Sequence, residues 1–381
     1  MTIALTIFWI SWLTLLYHLI GYGLLLKFMN IFRKSETVTA ATHFPTIIVL
    51  CAAYNEEKVI ERKINSFLSL NYPKDKIKML IVSDDSTDAT NEIVSKYTHL
   101  NVELVIQKPR RGKQSAHNLV LPALNCGYVL STDANSIFEP DAVMHLVNRM
   151  LSNPKLGMVS GELKLVKKGD KQSGEGLYWR YESFLKRMDS KFKSIICANG
   201  SLFLIKRELF TEIDAKSADD FERTLIVLEN GYIAAYEPAS VVTEDETEKA
   251  SEEISRKVRI ITQEWFSLSR HTSILNPFRY PAISFLMFSH KLIRWMFFLF
   301  VLMGYGSSIV LLHHPFYLFA FCAQTVVYIL GVIGLLTQKK AIHVPLTGFA
   351  AYIVAMIYSS CVAFKNYILN NSNFGLWKPI R

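Results

Sequence analysis

The run Ile3 to Leu26 is apolar except for Thr, Ser, Gly and His18. At about 24 residues it is long enough, as a helix, to span the roughly 30 Å hydrocarbon core of a bilayer. It lacks the basic start, shorter core and small-residue cleavage site of a secretory signal, so it predicts a retained anchor. Lys27, Arg33 and Lys34 follow it and no Lys or Arg precedes it, which places the next segment in the cytoplasm. Three further apolar stretches, Trp295 to Leu312, Phe316 to Leu336 and Val344 to Phe364, predict membrane helices, the first two joined by a tight His313-His314-Pro315 link. Lys339-Lys340 reads as cytoplasmic. Parity then puts the tail outside despite Lys365, Lys378 and Arg381, unless one apolar segment is re-entrant. The expectation is a multi-pass protein of the cell (inner) membrane. Its segments are an anchor (1–27), a linker (28–44), a cytoplasmic domain (45–250), interfacial helices (251–294), a transmembrane region (295–365) and a tail (366–381).

Within 45–250, apolar runs alternate with helical patterns. Thr46 to Ala53 is apolar and β-branched on both faces, as in a buried parallel strand. Tyr54-Asn55-Glu56-Glu57 then opens a helix expected to run to about Leu70, with Asn as an ordinary N-cap. Ile77 to Ser83 delivers Asp84, Asp85, Ser86, Thr87 and Asp88 to a loop before a helix at Ala89. Val102 to Gln107 leads into KPRRGKQSAHN, and Tyr128 to Thr132 ends at Asp133-Ala134-Asn135, with a helix expected from Pro140. This spacing predicts an α/β fold on a mostly parallel sheet. Ligands to such sheets lie beyond the carboxyl ends of the strands, where Tyr54, Glu56, Asp84, Lys113, Asp133 and Asn135 fall.

Those residue types suit one chemistry. A carboxylate and an amide two residues apart past a strand share a side, by the alternation of strand side chains, and can hold one Mg²⁺ or Mn²⁺ whose remaining positions go to water and phosphate. The same pair is also what an Asx turn before a helix looks like. Arg110, Arg111 and Lys113 on a glycine-containing loop suit a diphosphate, and Asp84 offers acceptors to a uridine base and ribose. No GxxxxGK[ST] or GxGxxG occurs, so neither a P-loop ATPase nor a Rossmann dehydrogenase is supported. Further on come an expected strand, Leu156 to Val166, an amphipathic stretch, Leu177 to Met188, and a tight turn at Asn199-Gly200. Asp219 and Asp220 open a helix over Phe221 to Glu229. An acidic pair there is either a cap or the source of a general base for an acceptor hydroxyl.

Composition narrows the partners. Five widely spaced cysteines show neither zinc nor disulfide spacing and suit a reducing compartment. The net charge of +9 comes with no nucleic-acid module, so anionic lipid and a nucleotide diphosphate are the expected counter-charges, with no nucleic acid.

In order along the chain, AAYNEE (52–57), SDDSTDAT (83–90), RGKQSAHN (111–118), STDANSIFEPDA (131–142), ANGSLFLIKRELF (198–210), DDFERTLIVLENGY (219–232) and RKVRI (256–260) match a set of motifs. Over residues 45 to 260 the chain resembles the family 2 inverting glycosyltransferases, in the membrane-bound branch of poly-N-acetylglucosamine, cellulose and hyaluronan synthases. The resemblance implies a GT-A type fold and a UDP-sugar donor with a lipid-linked or glycan acceptor. It also implies nucleotide contact at Asp84, with Tyr54, Glu56 and Lys113 on the donor side. Metal would sit at Asp133 with Asn135, and Asp220 would be the catalytic base beside Asp219. Acceptor contacts would fall at Asn199, Gly200, Arg256 and Arg259.

Two departures matter. The family's Asp-x-Asp reads Asp133-Ala134-Asn135, leaving Asp133 most of the metal contact. The Gln-x-x-Arg-Trp of processive synthases reads Arg256-Lys257-Val258-Arg259-Ile260, and Trp265 five residues on reads as an interfacial aromatic. The sequence therefore favours transfer of one sugar or a short run over processive synthesis. A nucleotidyltransferase and a nucleotide-binding membrane scaffold are the remaining alternatives. Ser251 to Arg270 reads as an amphipathic helix on the membrane surface. Phe285 to Trp295, with His290, Lys291 and Arg294, reads as a second one or as the snorkelling start of a span.

Overall fold

A computed structural model describes residues 1–33, 38, 40–166, 177–245, 250–338 and 347–371. Lys34, Lys339-Lys340 and the tail residues Lys378 and Arg381, on which parts of the orientation reading rest, lie outside the described residues. The chain forms two compact units. One comprises Met29–Glu246 with Phe266–Ile283, and the other Met1–Phe28, Thr247–Trp265 and Ser284–Asn371. The stretch 251–294 is therefore divided between the two units.

The first unit is built on an eight-stranded sheet of order β3-β2-β1-β4-β7-β6-β8-β5. Its strands are β1 (Ile47–Ala53), β2 (Ile77–Asp84), β3 (Val102–Gln107), β4 (Tyr128–Asp133), β5 (Ile137–Phe138), β6 (Leu156–Val166), β7 (Leu202–Lys206) and β8 (Ile233–Asp245). β1 runs parallel to β2 and β4, and β2 parallel to β3. β7 then inserts antiparallel to both β4 and β6, while β6 and β8 are parallel. The half of the sheet read from alternating strands and helices is parallel, and the far half is mixed. β1 has layers on both faces: Val49 and Cys51 pack with Ile60, Ile64 and Leu146, while Leu50 packs with Ala116, Val120 and Phe203. Burial of both faces is what made this strand a continuous apolar run. In register, Ala53 pairs with Ser83 and Ala52 with Asp133, so the carboxyl ends of β1, β2 and β4 lie side by side.

Three local expectations change. Asn55 is not a helix N-cap: its φ is 53°, and the helix runs Ile60–Leu68. Side chains of the next loop hold this turn instead. Ser86 Oγ accepts from the Asn55 amide, Asn55 Oδ1 accepts from the Thr87 amide at 2.8 Å, and Asp88 accepts from the Glu57 amide. β4 ends at Asp133 itself and Ala134-Asn135 form a turn, so strand alternation does not align Asp133 with Asn135. The helix after Pro140 starts at Ala142.

Among the described residues three helices are long and apolar enough to cross a membrane, Thr2–Phe32, Pro315–Thr337 and Thr347–Ile368. The count becomes four if Pro281–Trp295 and Phe297–Val310, bent by 63°, form one broken span. The expected span from Trp295 to Leu312 is thus a 14-residue helix, about 21 Å long and too short to cross alone. Gly331 lets its helix close on the next one, since a Cβ there would meet Ala350 O at 2.5 Å. Lys291 does not snorkel. It is buried, bonds to Glu264, and shares that carboxylate with Trp295 Nε1 at 2.9 Å. Trp265 packs among Trp295, Phe364 and Tyr367.

Candidate active site

The ends of β1, β2 and β4 bring Tyr54, Asp84 and Asp133 together with the helix Lys113–Val120 and the helix Asp219–Glu229. Asp84 is buried and organises the basic loop. Its Oδ1 accepts from Gln107 Nε2 at 2.5 Å and from the Arg111 amide at 2.8 Å, and its Oδ2 accepts from the Gly112 amide at 2.8 Å. Gly112 sits at φ 93°, a conformation that L side chains rarely adopt, which turns the loop into the helix. The Arg110 guanidinium lies 3.5 Å over the Tyr54 ring, and Arg111 is exposed. Glu56 is buried, with its amide donating to Thr90 Oγ1 at 2.8 Å.

Lys113 joins the two sides of the site. Its Nζ donates to Asp133 Oδ1 at 2.7 Å and stands 3.7 Å from Asp219 Oδ2. Burial opposes the ammonium, but Asp133 and Asp219 outweigh it and hold Lys113 above the ordinary lysine value, so it stays charged.

The adjacent acids have different surroundings. Asp219 is buried, with Arg223 Nε donating to Oδ1 at 2.7 Å and His117 Nδ1 at 3.7 Å. Burial works against its charge, yet Arg223 above all, with Lys113, holds the carboxyl well below the usual range. Arg223 also stacks 3.5 Å over Phe210 and donates to Thr211 O. Burial lowers His117 despite the facing carboxylate, leaving a neutral imidazole at neutral pH. Asp220 is only half buried. Its Oδ1 accepts from the Phe221 amide at 2.9 Å, and its Oδ2 would lie 3.2 Å from a Cβ on Gly200. Asn199 folds this turn through Oδ1, which accepts from the Ser201 amide. His117 and Arg223 stood inside the recognised motifs, but only their burial beside Asp219 gives them a role.

Two expected acceptor residues belong to the other unit. Arg256 and Arg259 lie on the helix Ala250–Arg270, where Arg256 pairs with Glu253 one turn earlier.

As a metal site the donor set is lean. Among the described residues no group of three or more His, Cys, Asp or Glu could hold an ion. Asp133 is partly exposed at its strand end and Asn135 is exposed in the turn after it. That set fits Mg²⁺ or Mn²⁺, which take few protein ligands beside substrate phosphate. It does not fit a cation that needs an all-protein cage.

Residues 48–214 match the family model described as Glycosyl transferase family 2. Residues 48–214 thus form a family 2 glycosyltransferase domain. It is 29% identical to the probable glycosyltransferase YdaM of Bacillus subtilis, over 64% of this chain and 62% of that one. It is 28% identical to the poly-beta-1,6-N-acetyl-D-glucosamine synthase of Staphylococcus epidermidis, over 50% of this chain and 47% of that one. The match thus spans less than two thirds of either relative. Among solved structures, the mannosyltransferase PcManGT of Pyrobaculum calidifontis, in complex with GDP-Man and Mn²⁺, superposes with a TM-score of 0.72. At 19% identity it covers 96% of this chain and 99% of that chain. The fold is that of a GT-A glycosyltransferase with apolar helices at both ends, as the motifs predicted.

Proposed function

We propose that the enzyme transfers a sugar, with inversion, from a UDP-sugar to a lipid-linked or growing glycan acceptor at the cytoplasmic face of a membrane. The observation that carries this reading is the division of labour in the acidic pair. Asp219 is buried against Arg223, whereas Asp220 is half-buried and abuts Gly200. Asp220 accepts the proton of the acceptor hydroxyl as that oxygen forms its bond to the anomeric carbon. The bond from that carbon to the diphosphate breaks on the opposite side, and the electron pair leaves with UDP. Lys113 and Arg111 offset charge on the departing diphosphate, and Asp84 holds their loop in place. Asp133, with Asn135, would hold Mg²⁺ or Mn²⁺, which supplies electrostatic stabilisation of the leaving group. Mn²⁺ in the mannosyltransferase complex supports a metal of this kind.

The names of the relatives make UDP-N-acetylglucosamine the first donor to try. Purified protein should be screened for nucleotide release against a panel of UDP-sugars and GDP-mannose, with and without a lipid extract. Release of UDP that rises with lipid supports the reading. Pyrophosphate from a nucleoside triphosphate would make it a nucleotidyltransferase instead, and binding without turnover a nucleotide-binding scaffold. A processive synthase is the second reading, favoured by the poly-N-acetylglucosamine synthases among the relatives.

A further inference from the structure

Behind the site lies a closed ring of buried polar groups. Lys63 Nζ donates to Thr132 Oγ1 at 2.7 Å and to Ser136 O at 2.5 Å. Thr132 Oγ1 donates to Ser201 O at 2.8 Å. Ser201 Oγ and Ser136 Oγ both donate to Glu244 Oε1, at 2.6 and 2.5 Å, which closes the circuit. Each hydroxyl spends its one proton within the ring. Lys63, Thr132 and Ser136 are fully buried, and Ser201 and Glu244 nearly so.

The members come from separate parts of the sheet and its layers: the helix Ile60–Leu68, the end of β4, the turn before β5, the turn before β7, and the end of β8. Three of them each adjoin a site residue in sequence. Thr132 precedes Asp133, Ser136 follows Asn135, and Ser201 follows Gly200, on which Asp220 rests. Burying a lysine and a glutamate is a poor way to gain stability, because apolar replacements of such groups are often neutral or stabilising. Four polar partners converging on them make sense as a means of fixing geometry.

We propose that this ring sets the spacing between the donor-side turn 133–135 and the base-side turn 199–200, with Glu244 and Lys63 as positioning residues that act through the serines and threonine. This rests on the assignment of Asp133 to the donor side and Asp220 as base. A displacement of about 1 Å between reacting groups costs on the order of 10² in rate, whereas the donor itself contacts only one of the two turns. The ring therefore governs turnover more than donor affinity.

The test uses the full-length protein and three measurements: UDP affinity with Mn²⁺ by calorimetry, kcat for UDP release from UDP-N-acetylglucosamine, and thermal unfolding. Glu244→Ala should lower kcat by about tenfold or more with UDP affinity within about threefold of wild type. Glu244→Gln, which keeps a carbonyl oxygen for both serines, should restore most of the turnover. Ser136→Ala and Ser201→Ala should each lower kcat, and the double variant should do little worse than the poorer single, because the ring opens only once. Wild-type kcat in Glu244→Ala, equal losses of affinity and turnover, or additive serine effects would overturn the proposal. If Glu244→Ala fails to fold, the serine pair decides. Asp220→Asn in the same assay separates the two ideas: full activity there removes the base assignment, while the Glu244 and serine results still judge the ring.

Discussion

Arg223 holds Asp219 from one turn further along the same helix, Nε to Oδ1 at 2.7 Å, with both side chains buried. The neighbouring Asp220 is half-buried at the site. Substitution should therefore separate the two acids by kind of damage. Asp220→Asn keeps the shape and loses the base, so transfer should fall on the order of 10² to 10⁴ with donor binding and thermal stability retained. Asp219→Asn strands a buried guanidinium, and breaking such a pair costs about 3–5 kcal/mol, so it should lower the unfolding temperature. Kinetics and thermal scans of both variants check this. A stable Asp219→Asn without activity, beside an active Asp220→Asn, would reverse the roles.

Gly200 supplies a second check on the base. A Cβ there would stand 3.2 Å from Asp220 Oδ2 and 3.6 Å from its carboxyl carbon. Gly200→Ala should push the carboxylate off its position and reduce kcat by about tenfold or more with little change in UDP affinity. Unchanged kcat would mean that Asp220 does not work from this rotamer.

The metal reading predicts graded losses. Asp133→Ala should remove Mn²⁺- or Mg²⁺-dependent UDP binding and also release Lys113, its partner at 2.7 Å. Asn135→Ala should cost less, since a neutral amide is the weaker ligand for a hard cation. Calorimetry with and without metal reads both, and full activity in excess EDTA would defeat the assignment.

Only part of the fold and of the site is legible in the chain. β1 and β2 are legible because burial on both faces leaves a nearly continuous apolar run, whereas the edge strand β3, with Glu103 and Ile106 exposed, and β4 are read from their spacing between helical patterns. β7 and β8 carry no such signal. β7 sits inside a motif read for its Asn199-Gly200 turn, and β8 is interrupted by Glu237 and Pro238 where its pairing with β6 shifts register. Asn55 looked like an N-cap because the Ser86, Thr87 and Asp88 side chains that hold it come from the next loop, over thirty residues away. Lys63 carried no signal at all. On a polar-looking helix face it reads as solvated, and only the tertiary structure places it under β4.

A clasp along the base helix, from Glu222 in its first turn to Glu229 at its end, should make stability depend on pH. Glu222 accepts from Arg270 at 2.8 Å and faces His271 Nε2 at 3.7 Å, while His271 Nδ1 lies 2.6 Å from Glu229, which Ser273 also contacts. Arg270 reaches Ser217 as well, just before the acidic pair. Burial opposes both charges, but the mutual hydrogen bonds win: His271 rises above its ordinary value and Glu222 falls to about 2. For the raised histidine, the stabilisation is complete below the unfolded value of about 6.5 and is lost as pH climbs through the folded one. For the depressed glutamate it is complete above about 4.5 and is lost toward pH 2. The clasp's own contribution to the thermal midpoint should thus be largest between about pH 4.5 and 6.5 and decline above. His271→Gln should flatten the alkaline decline, and an unaltered decline in that variant would assign it to another group.

The product should be small. In processive relatives the Gln-x-x-Arg-Trp segment offers the acceptor end an aromatic face and an amide. In this chain the matching stretch has the aliphatic Ile260 and the charged Arg256, which is paired with Glu253 at 2.6 Å. A guanidinium suits a phosphate or lipid headgroup better than a sugar hydroxyl. Trp265 does not stand in for the missing ring, because its own ring is packed against Trp295, Phe364 and Tyr367. Membranes given radiolabelled UDP-sugar should yield an organic-extractable product of one or a few sugars. Ile260→Trp alone should not lengthen it, since the amide is missing too. A high-molecular-weight, lipid-free polymer made by the purified protein would show that the chain grips its product by other residues and would return it to the processive synthases.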